Sequence, residues 1–152
     1  MELERFTQLE TATPGELPNL TLPFERRQKT RQRAQLDNGE EIAVVLPRGT
    51  VMRGGDCLLG DAGGRVRVVA APEEVSFVSG YAGLARAAYH LGNRHVWVEV
   101  NESRVVWLRD HVLDAMIEGF GLSVQHGSLP FEPEGGAYQH AGGAKAKGQA
   151  AR

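Results

Sequence analysis

Tyr89-His90-Leu91-Gly92-Asn93-Arg94-His95 lies where the pattern of a helix gives way to the pattern of a strand. Before it, apolar residues from Tyr81 to Leu91 recur at helical spacing, and Gly92 is placed to end that helix in the left-handed conformation. After it, His95 to Val100 alternates between apolar and polar side chains, as a strand does. The stretch holds two of the five histidines of the chain, so it is also a candidate metal site.

The second half of the chain extends this helix-to-strand pattern into a complete domain. Ala71-Pro72-Glu73-Glu74 predicts a linker, and the elements after it follow the order strand, helix, strand, strand, helix, strand, which is that of the ferredoxin-like fold. Besides the helix and strand around the central stretch, the predicted elements are strand Val75–Val78, strand Arg104–Leu108, helix His111–Phe120 with Asp110 as its N-cap, and strand Leu122–His126.

The first half of the chain predicts an all-β domain of short strands and frequent turns. Candidate strands are Phe6–Leu9, Leu20–Phe24 with Pro23 favouring a sheet edge, Ile42–Leu46 and Arg65–Val68. Asp37-Asn38-Gly39 predicts a tight hairpin turn. We therefore expect an α+β protein with an N-terminal β domain at 1–72, a ferredoxin-like domain at 73–133 and a flexible tail at 134–152 that is rich in Gly, Ala, Lys and Gln.

A run of basic residues from Arg26 to Arg33 precedes the hairpin turn. The favoured interpretation is a strand with a solvated face, whose charges are balanced across the hairpin by Glu40 and Glu41. The alternative is a surface for nucleic acid or for an acidic partner.

The composition of the chain limits the classes of function that it could have. The chain has 152 residues, 41% of them hydrophobic, and a net charge of -2, so it is not built around a polyanion. It shows no signal-peptide pattern and no apolar run long enough to span a bilayer, which predicts a soluble, cytoplasmic protein. Cys57 is the single cysteine and is expected in the core. A transition-metal site would therefore need histidines, carboxylates or solvent.

Imidazole is a good neutral ligand for Ni, Cu and Zn near pH 7. One exposed histidine binds a metal weakly, but a two-fold dimer presents every ligand twice at a shared interface. A histidine at a helix end, such as His95, could meet its counterpart across such an axis. Two imidazoles completed by solvent or tail ligands would hold a metal without enclosing it.

Several motifs resemble those of the urease accessory nickel chaperones, the UreE family. Leu91-Gly92-Asn93-Arg94-His95 is similar to the helix-to-strand motif of that family, and Asp110-His111-Val112-Leu113 to the start of its second helix. The segment from Phe131 to Tyr138 is similar to its last strand exit. In the first half, the similar motifs are Leu22-Pro23-Phe24-Glu25-Arg26-Arg27, Leu36-Asp37-Asn38-Gly39 and Leu46-Pro47-Arg48-Gly49.

The resemblance implies a homodimer with a peptide-binding-like β domain and a ferredoxin-like metal domain. It implies a carrier, not an enzyme, that delivers Ni(II) to apo-urease together with the GTPase accessory protein. His95 would be the interfacial nickel ligand, with Cu(II) or Zn(II) binding in vitro. His140 in the tail could supply a further ligand.

The chain departs from the family pattern in two places. Its tail carries His140 alone where some members have many histidines, which predicts few ions per dimer. At the second helix, His111 remains as a possible peripheral ligand, but the cationic Arg109 weakens that site. The remaining histidines, His90 and His126, are predicted to be structural.

Two other function classes fit parts of the pattern. RNA-recognition domains share the predicted element order, and Trp97 and Trp107 are candidate stacking residues, although their strands lack the usual basic-glycine-aromatic motif. A protein-interaction module with incidental histidines is the second alternative.

Overall fold

The structure, a computed structural model, describes residues 2–11 and 13–136. The chain is a mixed α+β protein dominated by strands, and it divides into two compact units, Met1–Glu73 and Glu74–Arg152. The elements of the first unit are β1 (Arg5–Glu10), β2 (Asn19–Leu22), α1 (Phe24–Arg27), β3 (Arg31–Gln35), β4 (Glu41–Val45), β5 (Cys57–Gly60) and β6 (Arg65–Ala70).

The first unit is a six-stranded sheet in the order β2-β6-β5-β1-β4-β3. Because successive side chains of a strand point to opposite faces, every second side chain points into a single apolar core. The members of this core are Phe6, Leu20, Leu22, Ala34, Leu36, Ile42, Val44, Leu46, Met52, Leu58, Val66 and Val68. The expected β domain is therefore present, with β2 at a sheet edge as Pro23 predicted and with buried Cys57, but it also contains a four-residue helix.

The hairpin between β3 and β4 forms at the predicted turn, where Gly39 takes a φ of 94°. The predicted charge pairing across this hairpin is wrong. Register places Arg31 opposite Val45 and Arg33 opposite Ala43, while Glu41 lies opposite Gln35. The mismatch arises because the basic run does not form one strand.

The start of the basic run is α1, and its arginines bind the backbone of the first unit. Arg26 donates from Nε to the Gln32 side-chain oxygen at 2.6 Å and from Nη2 to the Arg33 carbonyl at 2.9 Å. Arg27 is fully buried and donates to the carbonyls of Leu22 and Met52. Two of the five basic residues in this run are therefore structural. The Arg26 guanidinium also occupies part of the open edge of β3.

The second unit contains a four-stranded sheet and two helices. Its elements are β7 (Pro72–Ser79), α2 (Leu84–Asn93), β8 (Glu99–Val100), β9 (Arg104–Leu108), α3 (His111–Glu118) and β10 (Gln125–Pro130), and β7 begins two residues before the unit does. The strand order is β10-β7-β9-β8. Both helices pack on one face of this sheet, and the buried residues there are Val78, Ala87, Leu91, Val98, Val105, Trp107, Leu113 and Ile117.

Several predicted bounds in this unit are wrong for local reasons. The predicted linker is the start of β7, since proline is tolerated at the first position of a strand. The first helix begins at Leu84 and not at Tyr81, because Gly80 and Gly83 take positive φ and interrupt the helical turn. The last strand is shifted toward the C-terminus, from Leu122–His126 to Gln125–Pro130.

Among the described residues, no helix has the length and apolar character needed to cross a membrane. The predicted flexible tail falls largely outside the described part of the chain, which includes only its first three residues, 134–136.

Candidate metal centre

His95 takes the left-handed conformation, with φ at 59°, and it is the single non-glycine residue with positive φ in residues 2–11 and 13–136. The predicted left-handed cap at Gly92 is therefore wrong. Gly92 and Asn93 continue α2, and the helix ends when Arg94 N–H donates to the Leu91 carbonyl and His95 N–H to the Gly92 carbonyl. A histidine occupies the position at which helices usually end in glycine.

This turn also shortens the strand expected after it. The left-handed residue redirects the chain, so that residues 96–98 precede the sheet and β8 is limited to Glu99–Val100. The predicted strand His95–Val100 is therefore wrong in its first four residues. As a result, the His95 side chain is exposed at the end of a helix and is not part of a sheet face.

An open pocket of about 430 Å³ lies beside this turn. Its walls are largely apolar and include Val96, Trp97, Val98 and Val100 together with His95. Trp97 is 39% exposed and Val100 is 43% exposed, which is unusual for large apolar side chains. The imidazole therefore stands at the rim of an uncovered apolar surface.

The opposite side of the pocket is formed by the segment after β10. Fully buried Phe131 anchors this segment. The Glu132 N–H donates to the Glu99 carboxylate at 2.9 Å, and the Glu134 N–H donates to the Val98 carbonyl at 2.7 Å. These bonds bring Gly135 and Gly136 to the pocket that His95 lines.

His111 is the first residue of α3 and is exposed. The predicted N-cap is confirmed, because the Asp110 carboxylate accepts hydrogen bonds from the backbone of Val112 and Leu113 at 2.8 and 3.1 Å. Arg109 lies 3.9 Å from the Glu74 carboxylate in an exposed ion pair. Nothing in the described structure brings His111 together with His95.

The other two described histidines contact the body of the second unit. His90 stacks on Phe120 with ring centroids 4.3 Å apart, which packs the end of α2 against the end of α3. His126 places its Nε2 2.8 Å from the Asp114 carboxylate. Both contacts agree with the structural roles expected for these residues.

Asp114 forms a buried polar cluster that the sequence pattern did not indicate. Its carboxylate accepts a hydrogen bond from Trp107 Nε1 at 2.9 Å and lies 2.8 Å from His126 Nε2. Burial alone would raise the pKa of Asp114, but the hydrogen bonds with His126 and Trp107 lower it. Trp107 is fully buried by this arrangement and is not available to stack on a base.

The candidate ligands are therefore dispersed within one copy of the chain. In the part that the structure describes, no three side chains of His, Cys, Asp or Glu lie close enough to hold a metal ion. His140 lies outside the described residues. The two features of the site that the sequence analysis missed are the left-handed turn at His95 and the approach of Glu134, because both depend on backbone hydrogen bonds and not on periodicity.

Comparison with known proteins supplies the family. A model described as the UreE urease accessory protein N-terminal domain matches residues 2–71, and one for its C-terminal domain matches residues 66–151. The chain is 53% identical over 133 residues to the urease accessory protein UreE of Alkalilimnicola ehrlichii, covering 86% of this chain and 81% of that protein.

Two further relatives carry the same name. The UreE of Paraburkholderia xenovorans is 53% identical, covering 80% of this chain but only 55% of that longer protein. The UreE of Pseudomonas putida is 50% identical, covering 80% of this chain and 78% of that protein. The chain belongs to the UreE family of urease accessory proteins, which is a family of accessory proteins and not of enzymes.

Proposed function

We propose that the protein is a nickel chaperone that carries Ni(II) to apo-urease during maturation of the urease active site. It acts in the cytoplasm, as part of an accessory complex that includes the GTPase accessory protein. The observation that carries the proposal is His95: an exposed imidazole held in a left-handed turn at the rim of an uncovered apolar pocket, in a chain of the UreE family.

The working form is a homodimer. A single copy of the chain offers too few neighbouring ligands for a metal ion within its described residues, whereas an isologous interface duplicates each ligand. Trp97 and Val100 provide apolar surface beside His95 for that interface. Two His95 imidazoles then grip one ion between them, and solvent completes its coordination. Such an open site allows the ion to be passed on.

The scaffold of this site is a ferredoxin-like domain. The order β10-β7-β9-β8, with both helices on one face, corresponds to fourth, first, third and second strands of that arrangement. In this order α2 leads through the turn at His95 into β8, which is an edge strand of the sheet. The N-terminal unit is assigned to partner binding, and the tail to metal capture.

His140 is the proposed additional ligand, and His111 a peripheral one. Gly136 lines the pocket of His95, and the four residues from there to position 140 extend at most about 14 Å. This length is sufficient to bring an imidazole to an ion held by His95. His111 lacks a second histidine nearby, so its contribution is expected to be weak.

Nickel titration by calorimetry tests the proposal. Wild-type protein should bind about one Ni(II) per dimer in its tightest site. Its affinity for nickel should fall as the solution is made acidic, because protons compete for imidazole nitrogen. His95→Ala should remain dimeric and lose this site. Cu(II) and Zn(II) should occupy the same site in vitro, with Cu(II) tightest by the intrinsic order of affinities.

The matched control is His126→Gln, which removes an imidazole but retains a donor for Asp114. It should bind nickel as the wild type does. Tight binding that survives in His95→Ala, or that is lost equally in both variants, would refute the assignment of His95.

A further inference from the structure

We infer that Glu134 is a metal ligand that acts together with His95, which makes each subunit a donor of one nitrogen and one carboxylate oxygen. This inference rests on the proposed function and adds to it a residue outside the histidines. Among the residues that line the pocket, His95 and Glu134 are the two with ionisable side chains.

The backbone of Glu134 is fixed toward that pocket. Its N–H donates to the Val98 carbonyl at 2.7 Å, and Val98 is itself a lining residue three positions after His95. Phe131 and Pro133 are buried on either side of Glu132. Because extended chain alternates its side chains, burial of those two turns Glu134 outward.

The Glu134 carboxylate has no hydrogen bond or ion pair with any part of the chain that the structure describes. The nearby Glu99 carboxylate differs, since it accepts a hydrogen bond from the Glu132 N–H. An exposed carboxylate of this kind stays hydrated, so it costs little free energy of folding. Once a second copy covers the apolar surface of Trp97 and Val100, the same carboxylate loses water and needs a cation.

A divalent metal held by His95 supplies that cation. Ni(II) accepts both imidazole nitrogen and carboxylate oxygen. Two copies then provide two nitrogens and two oxygens, and the two negative charges neutralise the ion. A carboxylate exchanges with solvent more readily than a closed set of thiolates would, so the site remains suited to release.

The test compares Ni(II) affinity by calorimetry in the wild type and in Glu134→Gln, with Glu102→Gln as the matched control. Glu102 is exposed in the turn before β9 and carries the same charge, away from the pocket. Glu134→Gln should lose about 10- to 100-fold in affinity, the range found for groups that support a metal site. Glu102→Gln should retain the wild-type affinity.

Glu134→His separates ligation from simple attraction, because it removes the negative charge but supplies a new nitrogen donor. Binding restored in Glu134→His, together with a changed Cu(II) electron paramagnetic resonance spectrum in both Glu134 variants, supports direct ligation. Binding that stays weak in Glu134→His overturns it, as does equal weakening in Glu102→Gln.

The two proposals fail differently. Loss of nickel binding in His95→Ala with undiminished binding in Glu134→Gln overturns the role of Glu134 and leaves the proposed function standing. Undiminished binding in His95→Ala overturns both.

Discussion

Replacing His95 by glycine should stabilise the fold relative to replacing it by alanine, although both changes remove the proposed nickel ligand. Alanine is ordinarily the more stabilising of the two residues. At position 95 the order should reverse, because a φ of 59° is left-handed and carries a steric cost for any residue with a Cβ.

The magnitude follows from two opposing terms. A left-handed conformation costs an L-residue about 1–2 kcal/mol, and glycine avoids this cost. Glycine in turn loses more chain entropy on folding than alanine, by about 0.5–1 kcal/mol. The net preference for His95→Gly over His95→Ala is therefore about 0.5–1 kcal/mol. For a unit of this size, that corresponds to about 2–8 °C in the midpoint of thermal unfolding.

Urea denaturation and thermal unfolding of the two variants measure this difference. Position 115 provides the control, because Ala115 is exposed within α3 and Ala115→Gly should destabilise by about 1 kcal/mol. If glycine is more stable than alanine at position 95 but less stable at position 115, the left-handed turn is the cause. If His95→Ala proves equal to or more stable than His95→Gly, then the backbone at this position is not left-handed in solution.

Four further substitutions have defined outcomes. Asp114→Ala should cost about 1–3 kcal/mol in urea denaturation, because it leaves the buried Trp107 N–H without an acceptor. A stability equal to that of the wild type would contradict this. The pKa of Asp114 is lowered below its ordinary value of 3.8, so its stabilising contribution is complete above the unfolded-state pKa and is lost as pH falls through the lower folded-state pKa. The difference between wild type and Asp114→Asn should therefore still be present at about pH 5 and shrink only in stronger acid, whereas a difference that disappears near pH 6 would assign it to another group. Asp110→Ala should destabilise by about 1 kcal/mol through loss of the α3 cap, and a stability equal to the wild type in the same denaturation assay would argue against that cap. Val100→Glu should shift light scattering from dimer to monomer and weaken nickel binding with it, and an unchanged dimer would exclude this surface as the interface.

Features set by local chemistry were predictable from the sequence. The Asp110 cap, the Asn38-Gly39 turn and the alternating β4 follow from side chains acting on their own backbone, and each is present. The order of elements in the second unit was likewise predictable, because apolar periodicity survives small errors in the bounds.

Features set by tertiary hydrogen bonds were not predictable. The basic run appeared to be one solvated strand, but Arg26 and Arg27 belong to a helix whose guanidinium groups satisfy carbonyls distant in the sequence. Asp114 is a buried polar residue of α3 that the apolar period of the helix did not indicate. Its burial depends on Trp107 and His126, which lie on different strands. The spacing of residues along one helix cannot predict partners on other elements.

The end of α2 combines both kinds of feature. Glycine at position 92 is typical of a helix terminator, yet the helix passes through it and ends at Asn93. The left-handed residue that follows the cap is His95. Histidine is among the residues that tolerate the left-handed region, but it does so at a cost that glycine would not incur.

Strain of this kind persists where the surrounding structure holds a residue in place, and it is common at ligand sites. At His95 the turn places the residue directly after a packed helix, so the backbone sets the position from which its side chain leaves the chain. The backbone of such a residue has little further freedom to lose when the imidazole meets a metal and a second copy of itself. We therefore regard the position of the residue in the turn, and not only its imidazole, as part of the proposed nickel site.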